Sequence, residues 1–226
     1  MGEVAWPARG YRLTRDMDAP RLIAITDTTL APADMLLQRV QLLCAECRPR
    51  SVMVQLRDRE LGVRERLHLG ELLAESTRAS DQIFCVNDRL DLALLLDAQA
   101  LHLGENSFSP RDVRQLVGDR FWLTRASHDT MIFDDEGADA ILLSPIISAR
   151  KGAPALGIDA LQLACKALRV PVYALGGVGA DNAAACLAAG ARGVAVIGAW
   201  LATDSLLPLV QALGIGRDDS ALRNLR

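Results

Sequence analysis

Residues 171–198 read PVYALGGVGADNAAACLAAGARGVAVIG. Two short β-branched and apolar runs, Val172–Ala174 and Gly193–Val196, enclose an Ala-rich helical stretch, and Gly190 stands where that helix must stop before the second run begins. Each run ends in glycine, Gly176-Gly177 after the first and Gly198 after the second. A strand, a helix and a second strand in this order form a βαβ unit, which makes the two strands parallel.

The same alternation extends upstream. Strands are expected at Arg21–Thr26, Ser51–Leu56, Gln82–Val86, Ala100–Leu103, Phe121–Thr124 and Ala140–Leu143. Runs such as Val52-Met53-Val54 and Ile141-Leu142-Leu143 are apolar throughout, as in parallel strands covered on both faces. Between them, Met35, Leu36, Val40 and Leu43 mark one amphipathic helix, and Leu161, Leu163, Ala164 and Leu168 another. Ser109-Pro110-Arg111-Asp112 carries a helix start: a hydroxyl N-cap, a proline at N1 and an acid in the first turn. Eight strands, each followed by a helical stretch, predict an α/β fold, a single (β/α)8 TIM barrel. Residues 21–215 make the barrel, with a short N-terminal extension over 1–20 and a tail over 216–226. Only eight residues separate His128 from Gly137, so the fifth helix is expected to be shortened.

Composition agrees with one domain and excludes several classes. The chain has 226 residues, close to the ~250 typical of such a barrel. Half of them are hydrophobic and 4% aromatic, so the core must be aliphatic. A formal charge of −3 with both signs interspersed argues against nucleic acid as a partner. No apolar run reaches the ~18 residues of a membrane span, and the start lacks a signal-peptide core, so a cytoplasmic protein is expected. Five cysteines fit a reducing compartment, and Cys44 and Cys47 are read as helix packing residues. Of the 25 basic residues only Lys151 and Lys166 are lysines, so arginine stands where other chains would carry lysine.

In such a barrel the chemistry belongs to the loops leaving the strand C-termini. Here those ends carry Thr26-Asp27, Gln55-Leu56-Arg57, Asn87-Asp88, His102-Leu103-Gly104, Ser127-His128, Ser144-Pro145, Gly176-Gly177 and Ile197-Gly198. Gly176, Gly177, Ile197 and Gly198 are candidate phosphate ligands, because glycine lets backbone N–H groups close around phosphate oxygens. His128 is the candidate general acid and base, since an imidazole can both give and take a proton. His102 and His68 are read as structural and surface residues. Asp88 is a candidate metal ligand, or else the cap of a helix over Arg89–Leu96.

Taken together these segments resemble the thiamine phosphate synthase and thiazole tautomerase (TenI) superfamily. The resemblance runs from about Arg21 to Leu213. It is carried by Ile25-Thr26-Asp27, Val54-Gln55-Leu56-Arg57-Asp58, Val86-Asn87-Asp88-Arg89-Leu90, Leu101-His102-Leu103-Gly104, Ser127-His128, Ser144-Pro145-Ile146, Tyr173-Ala174-Leu175-Gly176-Gly177 and Gly190-Ala191-Arg192-Gly193. It implies a barrel that binds a small phosphorylated thiazole. In the synthase branch, hydroxymethylpyrimidine diphosphate and thiazole phosphate join with loss of pyrophosphate, and Mg²⁺ holds the diphosphate. In the tautomerase branch no metal is required, and a histidine moves a proton on the thiazole ring.

By this resemblance Gln55, Arg57, Arg59, Asn87, Ser127 and Ser148 would contact substrate, and Lys151 would join the phosphate ligands. The chain departs from the synthase pattern at Ser107, where that branch has a second magnesium aspartate, and in the shorter Ser148-Ala149-Arg150-Lys151 loop. Ser107-Phe108-Ser109-Pro110 and His128 look like the tautomerase branch instead. The reading therefore leads with a thiazole tautomerase acting through His128. The synthase reaction with Mg²⁺, with Glu105 as a substitute metal ligand beside Asp88, is the alternative. A non-catalytic phosphate-ligand barrel is a third, and a homo-oligomer stays open.

Overall fold

A computed structural model describes residues 19–128, 137–150 and 152–217. The eight strands are β1 (Leu22–Ile25), β2 (Val52–Leu56), β3 (Ile83–Asn87), β4 (Ala100–Leu103), β5 (Trp122–Ser127), β6 (Ala140–Leu143), β7 (Val172–Leu175) and β8 (Gly193–Val196). They pair in sequence order, all parallel, and β8 closes on β1. The helices around them are α1 (Ala33–Glu46), α2 (Val63–Ala79), α3 (Leu90–Leu95), α4 (Pro110–Val117), α5 (Gly157–Ala167), α6 (Ala180–Ala188), α7 (Gly198–Leu201) and α8 (Leu207–Leu213). The (β/α)8 barrel read from the sequence is the observed fold, with every strand within a few residues of its expected place. The shortened fifth helix falls on residues 129–136, which lie outside the described residues, as do most of the N-terminal extension and the tail.

The period-2 alternation of strands decides what lies inside. One phase fills the barrel with Ile23, Ile25, Met53, Ile83, Cys85, Ala100, Trp122, Ala140, Leu142, Tyr173 and Ala195. Trp122 meets Tyr173 edge to face, with centroids 6.3 Å apart, and the Tyr173 hydroxyl donates to the Pro20 carbonyl at 2.6 Å. The other phase, with Leu22, Val54, Leu56, Phe84, Val86, Leu101, Leu123 and Val194, packs against Leu36, Val40, Leu43, Leu73 and Leu161 of the helices. Each such side chain, fully buried, contributes roughly 1.5–3 kcal/mol. Gly193 stands where β8 approaches β1 so closely that a Cβ would collide with the Arg21 backbone, and no other residue type fits that seam.

Local signals act as read. Ser109 caps α4, its hydroxyl accepting from the Asp112 N–H at 3.1 Å, with Pro110 in the first turn. Cys44 and Cys47 are buried and unpaired, and burial pushes both thiols up to about 12, so at neutral pH they are inert packing groups. Among the described residues no helix is long and apolar enough to cross a membrane.

Candidate active site

Continued two residues past its apolar inner layer, the inward phase of β2 to β6 turns polar at the C-terminal end. Met53 gives way to Gln55, Cys85 to Asn87, Ala100 to His102, Trp122 to Thr124 and Leu142 to Ser144, all of them buried. On β5 the same phase runs on through Ala126 to His128. Two adjoining cavities open above this layer and share Arg150, Leu175 and Ile197.

The first cavity, ≈ 480 Å³, lies over β7 and β8. Gly176, Gly177, Ile197, Gly198 and Ser148 line it, as do Asp27 and Asn182. Gly176 and Gly177 have φ of +97° and +73°, a region that L side chains rarely adopt. They must also be bare: a Cβ on Gly176 would stand 2.8 Å from Pro145 Cα, and one on Gly177 2.8 Å from the Ser148 amide nitrogen. The loop after β6 therefore packs directly on the loop after β7, and Ser148 joins the glycine residues for that reason. Lys151, expected beside them, lies outside the described residues.

The second cavity, ≈ 250 Å³, is walled by Gln55, Arg57, Arg59, Asn87, His102 and His128 among others. Three guanidinium groups crowd this side. Burial, then the charges of Arg59 and Arg150, lower the pKa of Arg57 from its ordinary value, against the pull of Asp27 and Asp58. Arg57 lies 3.9 Å from Asp27, and Arg59 2.8 Å from Asp88. Asp58, buried below them, ties the loop after β1 in place by accepting from the Thr26 hydroxyl and, at 2.6 Å, from the Thr28 N–H.

Asp88 does not cap a helix. It sits at φ +61°, and its carboxylate turns back across the mouth. One oxygen accepts from the Gly104 N–H at 2.8 Å and from the Ser107 hydroxyl; the other accepts from Arg59 at 2.8 Å and from the Asn87 amide at 2.7 Å. Burial alone would raise its pKa, but the hydrogen bonds from Ser107 and Gly104, with the charge of Arg59, outweigh that and hold the carboxyl below its ordinary range.

Asp88, expected as a metal ligand, is met on both carboxylate oxygens by protein donors. A magnesium site needs one or two carboxylates with oxygens free to coordinate. Both oxygens of Asp88 are taken, Ser107 supplies a donor rather than a second carboxylate, and the described residues hold no group of three His, Cys, Asp or Glu suited to a metal. Glu105 is not its substitute. It is turned to His128, whose Nδ1 lies 2.8 Å and whose backbone N–H donates at 2.9 Å to the same carboxylate oxygen. A Mg²⁺ on Asp88 would take the place of the Ser107 or Arg59 contact and would draw its remaining ligands from substrate phosphates and water.

Ser127 is set apart from these side chains. It follows Ala126 by one residue, so the alternation turns it to the opposite face, and it is absent from both cavity walls. The imidazole of His128 is oriented by Glu105. Arg125, on that same outward phase, donates to the Gly104 carbonyl at 2.8 Å and anchors the turn that presents Glu105. His102, read as structural, is buried with its Nδ1 2.8 Å from the Thr124 hydroxyl, and burial depresses its pKa to about 4. It nevertheless forms part of the second cavity. Arg150, present in both walls, was missed as a site residue because its only sequence signal is its place beside Lys151.

Residues 22–200 match the family model described as thiamine monophosphate synthase. The chain belongs to that family. It is 34% identical over 193 residues to the thiamine-phosphate synthase of Chlorobium luteolum, covering 83% of this chain and 88% of that protein. It is also 34% identical over 190 residues to the putative thiamine-phosphate synthase 2 of Aquifex aeolicus, covering 82% of this chain and 100% of that protein. Among solved structures, the thiamine phosphate pyrophosphorylase of Pyrococcus furiosus superposes with a TM-score of 0.73 at 23% identity, over 87% of this chain and 96% of that one, and shares the fold. The relatives' names agree with the synthase alternative and give the leading tautomerase reading no specific support. Membership of the thiamine monophosphate synthase family thus makes the chain an enzyme of the transferase kind.

Proposed function

We propose that this protein joins hydroxymethylpyrimidine diphosphate to thiazole phosphate and releases pyrophosphate. The observation that carries the reading is the pair of adjoining cavities, one built of glycine backbone and the other ringed by Arg57, Arg59 and Arg150. A single phosphorylated ligand needs only the first. Two anionic substrates that must meet need both, with a shared wall.

In this reading thiazole phosphate seats its phosphate against Gly176, Gly177 and Gly198, with the Ser148 hydroxyl beside it. The diphosphate of the second substrate faces the guanidinium groups. The bond between the pyrimidine methylene carbon and the diphosphate oxygen breaks, and both electrons leave with pyrophosphate. Arg57, Arg59 and Arg150 stabilise the negative charge that builds on that oxygen; fixed cations placed where charge develops are the largest single source of catalysis in many sites. The thiazole nitrogen then gives its lone pair to the cationic methylene carbon. No proton moves in this sequence, so no general base is required. Five unpaired cysteines support a cytoplasmic setting.

The test is to incubate the protein with both substrates and follow thiamine phosphate and pyrophosphate together. Equal amounts of the two products are expected. Binding of both substrates without either product would refute the reading.

The His128–Glu105 pair favours a second reading, proton transfer on a thiazole phosphate carboxylate. A carboxylate at 2.8 Å fixes one ring nitrogen and leaves Nε2 to give and take a proton. Aromatisation of that compound, followed by ultraviolet absorbance, checks it: a loss of about 10²–10⁴ in His128→Asn would support proton transfer, and an unaffected rate would exclude it.

A further inference from the structure

Helix α6 begins at a pair of hydrogen bonds that one side chain makes in opposite senses. Asn182 Oδ1 accepts from the Gly179 N–H at 3.0 Å, and Asn182 Nδ2 donates to the Gly177 carbonyl at 3.1 Å. An N–H on one side and a carbonyl on the other leave the amide a single orientation. Capping the helix needs only the first bond. At the start of α4 the same position is held by Asp112, whose carboxylate accepts from the Ser109 N–H at 3.2 Å and has nothing to donate. The second bond of Asn182 is therefore surplus to the cap and acts on the loop before it.

We propose that Asn182 is a positioning residue for the glycine cradle: it holds the Gly177–Val178 peptide with its carbonyl toward α6 and its N–H toward the first cavity, so that the cradle offers a phosphate donors alone. In a trans peptide the carbonyl and the following N–H point opposite ways, so Asn182 fixes the Val178 N–H by holding the Gly177 oxygen. Val178 is buried in the wall of this cavity, and its N–H meets no acceptor among the described residues, which leaves a donor for a ligand. The lock is needed because Gly177, at φ +73°, has no Cβ to oppose rotation of the peptide. Released, the peptide is free to turn over and set a carbonyl oxygen against the anion. Asparagine also completes the cap without adding a carboxylate beside that anion. The inference rests on the reading of this cavity as the thiazole phosphate site.

The experiment compares, by calorimetry, thiazole phosphate with the same thiazole bearing a free hydroxyl, in the intact protein, Asn182→Ala and Asn182→Asp. Asn182→Ala should bind thiazole phosphate about tenfold or more weakly, the loss expected for one hydrogen bond to a charged group, and the alcohol within about twofold of the intact protein. Asn182→Asp keeps the cap, as Asp112 does in α4, so its fold does not depend on the missing donor. It should lose the phosphate compound at least as strongly and keep the alcohol. In the coupling assay both variants should raise KM for thiazole phosphate, and leave KM for the pyrimidine diphosphate and kcat at saturation within about twofold. Pyrophosphate binding in the second cavity reports that each variant is folded.

Thiazole phosphate bound as tightly by Asn182→Ala as by the intact protein would overturn the proposal and leave the coupling reaction standing. So would a loss confined to Asn182→Asp, which charge repulsion alone explains. Parallel loss of the phosphate and the alcohol, with a fall in kcat, would overturn it as well and reduce Asn182 to a helix cap. Equal binding of the two thiazoles by the intact protein would remove the phosphate reading of the cavity, and the proposal with it.

Discussion

The cavity over β7 and β8 is walled by backbone, whereas the one over β2 to β6 is walled by side chains that depend on one another. In the first, Gly176 and Gly177 hold positive φ against Pro145 and Ser148, and any side chain there would collide with the loop after β6 and push the two loops apart. In the second, Gln55 takes its orientation from Asn87, Asn87 from Asp88, and Asp88 from Gly104, Ser107 and Arg59. A backbone site is broken by adding atoms. A side-chain network is broken by removing one, and the damage spreads along the chain of hydrogen bonds.

The largest effect should come from distorting the backbone cradle. Gly177→Val places a branched side chain at φ +73° against Ser148, with overpacking and strain together on the order of 3 kcal/mol. Binding of thiazole phosphate, followed by calorimetry, should weaken at least about a hundredfold, while pyrophosphate binding in the second cavity persists. Equal loss of both would erase the distinction between the regions.

Next comes the pH dependence carried by His102 in the second region. Its folded pKa of about 4 lies below the ordinary 6.5, so between these values the unfolded chain binds more protons. The stability due to keeping it neutral is therefore complete above about pH 6.5 and is lost as pH falls toward 4. The full loss is about 3 kcal/mol, at ~1.4 kcal/mol per pKa unit. Urea unfolding at a series of pH values should show this slope, and His102→Gln should flatten it between pH 6.5 and 4. A slope unchanged in that variant would place the titrating group elsewhere.

Arg57→Ala sharpens the comparison from the other side. Loss of one charge-assisted contact, roughly 1.5–3 kcal/mol, should weaken pyrophosphate binding by about 10- to 100-fold and leave thiazole phosphate within about twofold. The smallest effect is expected at His128, which touches neither the glycine loops nor the amide relay. His128→Asn should change the rate of coupling by less than about threefold; a loss of a hundredfold or more would transfer the weight to proton transfer.

The same contrast explains what could be read in advance. The barrel was legible because parallel strands buried on both faces leave uninterrupted apolar runs, and because glycine and proline punctuate helix ends locally. The glycine cradle was legible for the same reason, since Gly176-Gly177 and Gly198 are local backbone signals. Gln55, Asn87 and His128 could be placed at the mouth by period-2 alternation from Met53, Cys85 and Ala126, and that rule, applied to β5, turns Ser127 to the opposite face. The partners of these residues were not legible. The engagement of Glu105 with His128 and of Ser107 with Asp88 spans 23 and 19 residues, and hydrogen bonds between loops of different strands leave no mark in spacing. The donors around Asp88 were not legible for the same reason: a carboxylate at a strand end looks free until the loops that face it are seen.

The central claim is that the two cavities take two anions at once. Titration of thiazole phosphate into the protein, alone and in saturating pyrophosphate, tests it most directly. Thiazole phosphate should bind with one site per chain in both titrations and with an affinity changed by no more than about threefold; competition, with pyrophosphate displacing thiazole phosphate from a single shared site, would contradict simultaneous occupancy.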